Sequence, residues 1–149
     1  MGLQQLVTEQ IKEAMRAKDK VALESLRAIK SALLLARTET GSDAEMSEEA
    51  EVQLVQKLVK QRKDSAAIFI EQGRDDLAEP ELAQIAIIEK FLPEQLSEEE
   101  IEKVVIKVID STGASGMQDM GKVMGMVSKE LAGQADGKTI STIVKNKLI

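Results

Sequence analysis

The stretch Phe91-Leu92-Pro93-Glu94-Gln95-Leu96-Ser97-Glu98-Glu99-Glu100-Ile101 divides the chain into two helical units and fixes where the second one starts. Pro93 disfavours helical backbone at Leu92, so a helix arriving from the N-terminal side ends there. Ser97 followed by Glu100 is a capping box, and Leu96 with Ile101 makes a hydrophobic staple. A helix therefore starts at Glu98 and turns Ile101, Val104, Val105 and Val108 inward.

Working outward from the junction, apolar residues recur with helical period through nearly the whole chain, and no stretch alternates as a strand does. Upstream, the spacing predicts four helices. The first spans Leu3–Ala17, with Leu3, Leu6, Val7, Ile11, Ala14 and Met15 as its stripe. A short turn at Lys18-Asp19-Lys20 follows, with Asp19 as N-cap of a second helix to Thr38. Leu23, Leu26, Ile29, Ala32 and Leu33 line its inner side; Arg27, Lys30 and Arg37 line the other. Thr40-Gly41-Ser42-Asp43 reads as a polar loop. Ser47 caps a long third helix that ends at Gly73. A fourth runs from about Asp76 with Leu77, Ile85, Ile88 and Phe91 inward; it either begins at Pro80 or kinks there.

Downstream, Thr112-Gly113-Ala114-Ser115-Gly116 breaks the fifth helix. A sixth runs from Met117 to Leu131, and Asp136 caps a seventh that reaches Leu148. The expected fold is all-α: a four-helix N-terminal domain in 1–92 and a three-helix domain in 97–149. The second is small enough to lean on the first for stability.

Composition narrows the function. The 149 residues include no Cys, His, Trp or Tyr and only two Phe. Disulfides, Cys/His zinc sites, thiol nucleophiles and histidine relays are therefore excluded, as are the aromatic platforms on which single-stranded bases stack. What remains is Lys, Arg, carboxylates, hydroxyls and backbone, which suits binding better than catalysis. No cofactor and no metal site is expected. Met1-Gly2-Leu3-Gln4-Gln5 lacks a signal peptide's charged start and apolar core, and no apolar run approaches the roughly 20 residues of a membrane span. The expected compartment is the cytoplasm, with no membrane partner.

A net charge of −6 argues against nucleic acid at first sight. Residues 103–149, however, carry 7 basic and 4 acidic groups, a local net of +3. Salt screens charges more than about 10 Å apart, so a basic patch can hold phosphate on an acidic protein.

Within that block, Asp119-Met120-Gly121-Lys122-Val123-Met124-Gly125 is unusual. Met117, Met120, Met124, Val127 and Leu131 recur at helical spacing and read most simply as core. Gly121 and Gly125 lie one turn apart inside the helix, and each costs up to about 1 kcal/mol relative to Ala. Something must approach the backbone there. A neighbouring helix packed on a small-residue groove is the plainer occupant; a sugar-phosphate backbone beside Lys122 and Lys129 is the other. Lys57, Lys60, Arg62 and Lys63 form a second phosphate candidate, which reads more simply as a solvated helix face, as do Arg27 and Lys30. Asp75-Asp76 and Glu98-Glu99-Glu100 suit helix starts better than acid/base pairs. Gly133-x-x-x-Gly137-Lys138-Thr139 is one residue short of a phosphate loop and follows a helix rather than a strand.

Taken together, Asp119-Met120-Gly121-Lys122-Val123-Met124-Gly125, then Gly133, Ala135-Asp136-Gly137, Ile140, Val144 and Leu148, resemble the GatB/YqeY family. So do Lys18-Asp19-Lys20 ahead of Leu26-Arg27-Ile29-Lys30, Lys60-Gln61-Arg62-Lys63-Asp64-Ser65, and the junction at Phe91–Ser97. The resemblance covers essentially the whole chain and is to the stand-alone YqeY-like members. It implies an all-α fold whose C-terminal unit is similar to the tail of the aspartyl/glutamyl-tRNA amidotransferase B subunit, a carbon–nitrogen ligase with glutamine as amido donor. That tail helps hold tRNA, while the chemistry lies elsewhere in the enzyme. The resemblance thus implies a tRNA-binding accessory role beside an amidotransferase or an aminoacyl-tRNA synthetase, without amidation by this chain. Its tRNA-facing residues are then Gly121, Lys122, Gly125, Lys129, Lys138 and Lys145, reading backbone and shape. The alternative is a protein–protein interaction module with no nucleic-acid role, suggested by the net charge and the acidic stretch 42–56.

Overall fold

The computed structural model describes residues 2–41 and 46–149. All regular structure among them is helical. The order is α1 (Leu3–Ala17), α2 (Lys20–Thr40), α3 (Glu48–Glu71), α4 (Asp75–Ile88), α5 (Glu98–Thr112), α6 (Met120–Glu130) and α7 (Gly137–Leu148), with short 3-10 turns at Glu89–Phe91 and Met117–Asp119. The chain separates into two compact units at Leu92/Pro93.

Side-chain caps set most helix starts. The Asp19 carboxylate accepts from Ala22 N–H at 3.1 Å, Ser47 Oγ from Ala50 N–H at 3.1 Å and Ser97 Oγ from Glu100 N–H at 3.2 Å. Each satisfies one of the donors a helix start leaves open. Gly113 closes α5 in the left-handed region at φ 68, where a side chain is strained. Ser42 and Asp43 of the expected polar loop lie outside the described residues.

In the first unit, Val7, Ala14, Leu26, Ile29, Leu33, Val55, Val59, Ile85 and Ile88 form the core. α4 starts five residues before Pro80 rather than at it. Pro80 is the sixth residue of the helix, so its ring withholds the donor that would serve the Asp76 carbonyl and crowds that carbonyl, yet the helix continues through it to Ile88. Three expected inward residues, Leu6, Met15 and Leu77, are exposed. α4 instead buries Ala78, Ile85 and Ile88.

In the second unit, α5, α6 and α7 surround an aliphatic core of Ile101, Val105, Val108, Val123, Val127, Leu131, Ala135, Ile140, Val144 and Leu148. Fully burying one such side chain contributes about 1.5–3 kcal/mol relative to exposure. A strap ahead of α5 is fastened to the α6–α7 turn: Leu96 N–H donates to Gln134 O at 2.9 Å and Gln95 Nε2 to Gly133 O at 2.7 Å. The methionine stripe needs correction. Met117 sits in the 3-10 turn and is exposed, Met120 and Met124 pack at the core's edge, and Val123 is fully buried in their midst.

Candidate nucleic-acid interface

α6 positions the central group. Turning about 100° per residue, the helix directs Val123 and Val127 to the core, and both are fully buried. The opposite arc carries Gly121, Lys122, Gly125, Ser128 and Lys129, all exposed. A methyl group added at Gly121 or Gly125 would meet no neighbouring atom within 4 Å. Among the described residues of the second unit no helix packs on them, so the small-residue packing expected as the plainer reading is not found there. The glycines leave open backbone on an outer face, with Lys122 and Lys129, seven residues apart, along one edge of the strip.

α7 supplies the rest. Its core side is Ile140, Val144 and Leu148. Lys147 leaves that side toward α5 and pairs with Glu102 at 2.6 Å. Lys138 and Lys145, seven apart, share the opposite flank and are exposed. Among the described residues, Lys122, Lys129, Lys138 and Lys145 make no side-chain hydrogen bond or ion pair, so their charge is free for an anion. Acids of the unit are partly committed: the Asp136 carboxylate accepts from Thr139 N–H at 2.7 Å and from its hydroxyl at 3.0 Å, and Asp119 accepts from Ser115 N–H at 3.1 Å. The structure thus brings Gly121, Lys122, Gly125 and Lys129 onto one face, with Lys138 and Lys145 on the neighbouring helix of the same unit. Ser128 belongs to that face and went unread, although it stands seven residues from Gly121.

The second phosphate candidate does not hold together. Arg62 turns inward, donating from Nε to Gln84 Oε1 at 2.9 Å and from Nη1 to Leu58 O at 3.1 Å. Gln84 Nε2 in turn donates to Glu24 at 3.5 Å. Lys63 pairs with Glu89 at 3.5 Å. Among the described residues, Lys57 and Lys60 are the cations of that cluster that stay exposed with no side-chain partner. Arg62 serves instead to tie α3 to α4.

Elsewhere, Arg74 and Asp76 form a two-bond ion pair at 3.0 Å at the start of α4. The Arg74 guanidinium holds the exposed Asp76 carboxyl below its ordinary value. A cleft of about 490 Å3 in the first unit is lined by Gln5, Thr8, Glu9, Lys12, Arg37 and Glu51 among others, mixes both charges, and contains none of the six sequence-predicted residues. No helix among the described residues is long and apolar enough to cross a membrane.

Residues 4–148 match the family model described as Yqey-like protein. The chain belongs to the YqeY-like family. Altered inheritance of mitochondria protein 41, mitochondrial, from Pyrenophora tritici-repentis is 32% identical to this YqeY-like chain over 127 residues, 84% of the chain and 68% of that protein. The protein of the same name from Saccharomyces cerevisiae (strain YJM789) is 30% identical over 141 residues, 92% of the chain and 72% of its own length. The E subunit of glutamyl-tRNA(Gln) amidotransferase from Thermococcus gammatolerans is 37% identical over 73 residues, 46% of the chain but 12% of that protein. The YqeY-like chain therefore shares one segment with a much larger amidotransferase component, and the relation to amidotransferase tails rests on that segment.

Proposed function

We propose that this YqeY-like protein is a tRNA-binding accessory protein that holds tRNA by backbone and shape and does not itself catalyse amidation. One observation carries the reading: two glycines inside α6 face open space beside unpaired lysines. Each glycine weakens the helix by up to about 1 kcal/mol, and nothing among the described residues of the second unit uses the room they leave. A polyanion approaching the helix backbone does. Lys122 and Lys129 line one edge of the strip, and Lys138 and Lys145 extend the positive surface onto α7. With no tyrosine or tryptophan available, contact is to phosphate and ribose rather than to stacked bases. The segment shared with an amidotransferase component supports an amidotransferase or an aminoacyl-tRNA synthetase as the protein it works beside. Residues 1–92 as a four-helix domain, 97–149 as a three-helix domain and a cytoplasmic location belong to the same reading.

Titrating labelled tRNA against wild type and Lys122→Glu/Lys129→Glu at two salt concentrations tests it. Loss of affinity and a shallower salt slope in the variant are expected, because each lost phosphate contact removes about 0.7–0.9 from the slope. Equal affinities, or no salt dependence in the wild type, refute it.

A second reading, a protein-interaction module, is favoured by the exposed apolar side chains Leu35, Ile68 and Ile70 of the first unit. A partner recovered by pull-down and retained after nuclease treatment supports that reading; dispersal by nuclease counts against it.

A further inference from the structure

We infer that the corner between α1 and α2 is a second RNA-backbone contact, centred on Lys18; the inference rests on the RNA-binding reading above. Lys18 is the one non-glycine residue among the described residues with positive φ, at φ 55 and ψ 35. Glycine fills the equivalent place at the ends of α2 and α5, because a Cβ is disfavoured in left-handed backbone. The local hydrogen bonding does not call for lysine. Lys18 N–H donates to Met15 O at 3.2 Å and Asp19 N–H to Ala14 O at 3.0 Å, bonds that glycine makes equally well. Nor does packing call for it: the side chain is exposed and makes no hydrogen bond or ion pair among the described residues. A strained backbone is kept here for a side chain that nothing inside the protein uses, a mark of functional placement.

Its neighbours share that condition. Arg16 and Lys20 flank it, and Arg27 lies two turns from Lys20 on the same face of α2; all are exposed and none is ion-paired among the described residues. The nearby acids do little to neutralise them. The Asp19 carboxylate caps α2 through Ala22 N–H, and Glu24 accepts from Gln84 at 3.5 Å. Glu13 makes no ion pair among the described residues. The corner thus presents three cations within five residues and a fourth beyond, with no aromatic to read a base, which is the chemistry of phosphate recognition. Met15 and Val21 are exposed nearby, but two separate side chains are not the continuous apolar face that an anionic bilayer needs.

The decisive variant is Lys18→Gly in the full chain, with Lys18→Asn as a second neutral residue tolerant of this backbone. Each is assayed by thermal melting, by titration of labelled tRNA over a salt series, and by binding to phosphatidylserine-containing vesicles. Lys18→Gly is expected to melt at or above the wild-type temperature while binding tRNA several-fold more weakly. Its salt slope is expected to be shallower by about 0.7–0.9, with Lys18→Asn following in affinity and slope. Adding Arg16→Gln/Lys20→Gln deepens the loss. Unchanged tRNA affinity and slope in both Lys18 variants overturn the inference. If Lys122→Glu/Lys129→Glu still weakens binding, the reading of α6 survives that result; if neither set matters, both fall. Loss of vesicle binding with tRNA affinity intact assigns the corner to lipid and likewise overturns the proposal.

Discussion

Replacing Gly121 and Gly125 together by alanine is expected to stabilise the protein and to damage RNA binding. Both positions lie within α6, and a methyl group at either meets no atom within 4 Å. The substitution therefore meets no steric obstacle and gains helix propensity, about 0.8–1 kcal/mol at Gly125 and less at Gly121, the second residue of α6, for about 1–2 kcal/mol in the pair. For a chain of this length, each kcal/mol raises the melting temperature by roughly 2–4 °C if the whole protein melts together. A rise of about 2–8 °C follows, and more if the second unit melts by itself. On the proposed reading the same two methyl groups stand where a ribose-phosphate backbone approaches, and tRNA affinity is expected to fall at least tenfold, about 1.4 kcal/mol. Because alanine is neutral, the salt slope stays near that of the wild type, unlike in the Lys122→Glu/Lys129→Glu variant. Calorimetry and a tRNA titration over a salt series read both quantities. A lower melting temperature shows that something does pack on the strip. A higher one with tRNA affinity unchanged shows that no RNA comes close to it, and the reasoning fails.

Three further expectations concern other parts of the fold. Asp136→Ala removes an acceptor serving both Thr139 N–H and its hydroxyl and is expected to cost about 1–2 kcal/mol in urea unfolding, with Asp136→Asn restoring most of it; an unchanged midpoint for Asp136→Ala refutes the capping role. Arg62→Ala breaks the tie to Gln84 and strands its half-buried amide, a loss of roughly 1–3 kcal/mol, whereas Lys60→Ala stays within about 0.5 kcal/mol of wild type; equal effects would show that Arg62 is an ordinary surface residue. Asp76 is expected to titrate by NMR below the usual carboxylate range and to return to it in Arg74→Ala. Its lowered folded value stabilises the protein above the unfolded value, and that contribution disappears as pH falls through the folded value; an Asp76 titration that ignores Arg74→Ala would disprove the pairing.

The parts of this fold that could be read in advance are those written locally. Asp19, Ser47, Ser97 and Asp136 each announce a helix start, because a short polar side chain reaches an amide three residues on in its own chain. The start of α6 was misplaced for the complementary reason: Asp119 bonds back to Ser115 rather than forward, and Met117–Asp119 winds as a 3-10 turn. Partners distant in sequence were not legible. Arg62 sits in a run of cations and looks solvated until Gln84, 22 residues away, is brought beside it. The glycines of α6 posed the same difficulty. Their spacing showed that space was being kept, but only the neighbouring helices could show that the described residues of the second unit leave it unfilled. Left-handed backbone at Lys18 was hidden as well, since the two-helix turn is spelled with a residue that ordinarily avoids it.

The strap at Gln95 and Leu96 bears on how this module can be moved between proteins. Two bonds join it to the carbonyls of Gly133 and Gln134, so the stretch before α5 is a clasp on the bundle it precedes and not spare tether. A graft that begins at Ser97 transplants three helices with the clasp cut off and leaves the turn between α6 and α7 unfastened. One that begins at Pro93 carries it intact.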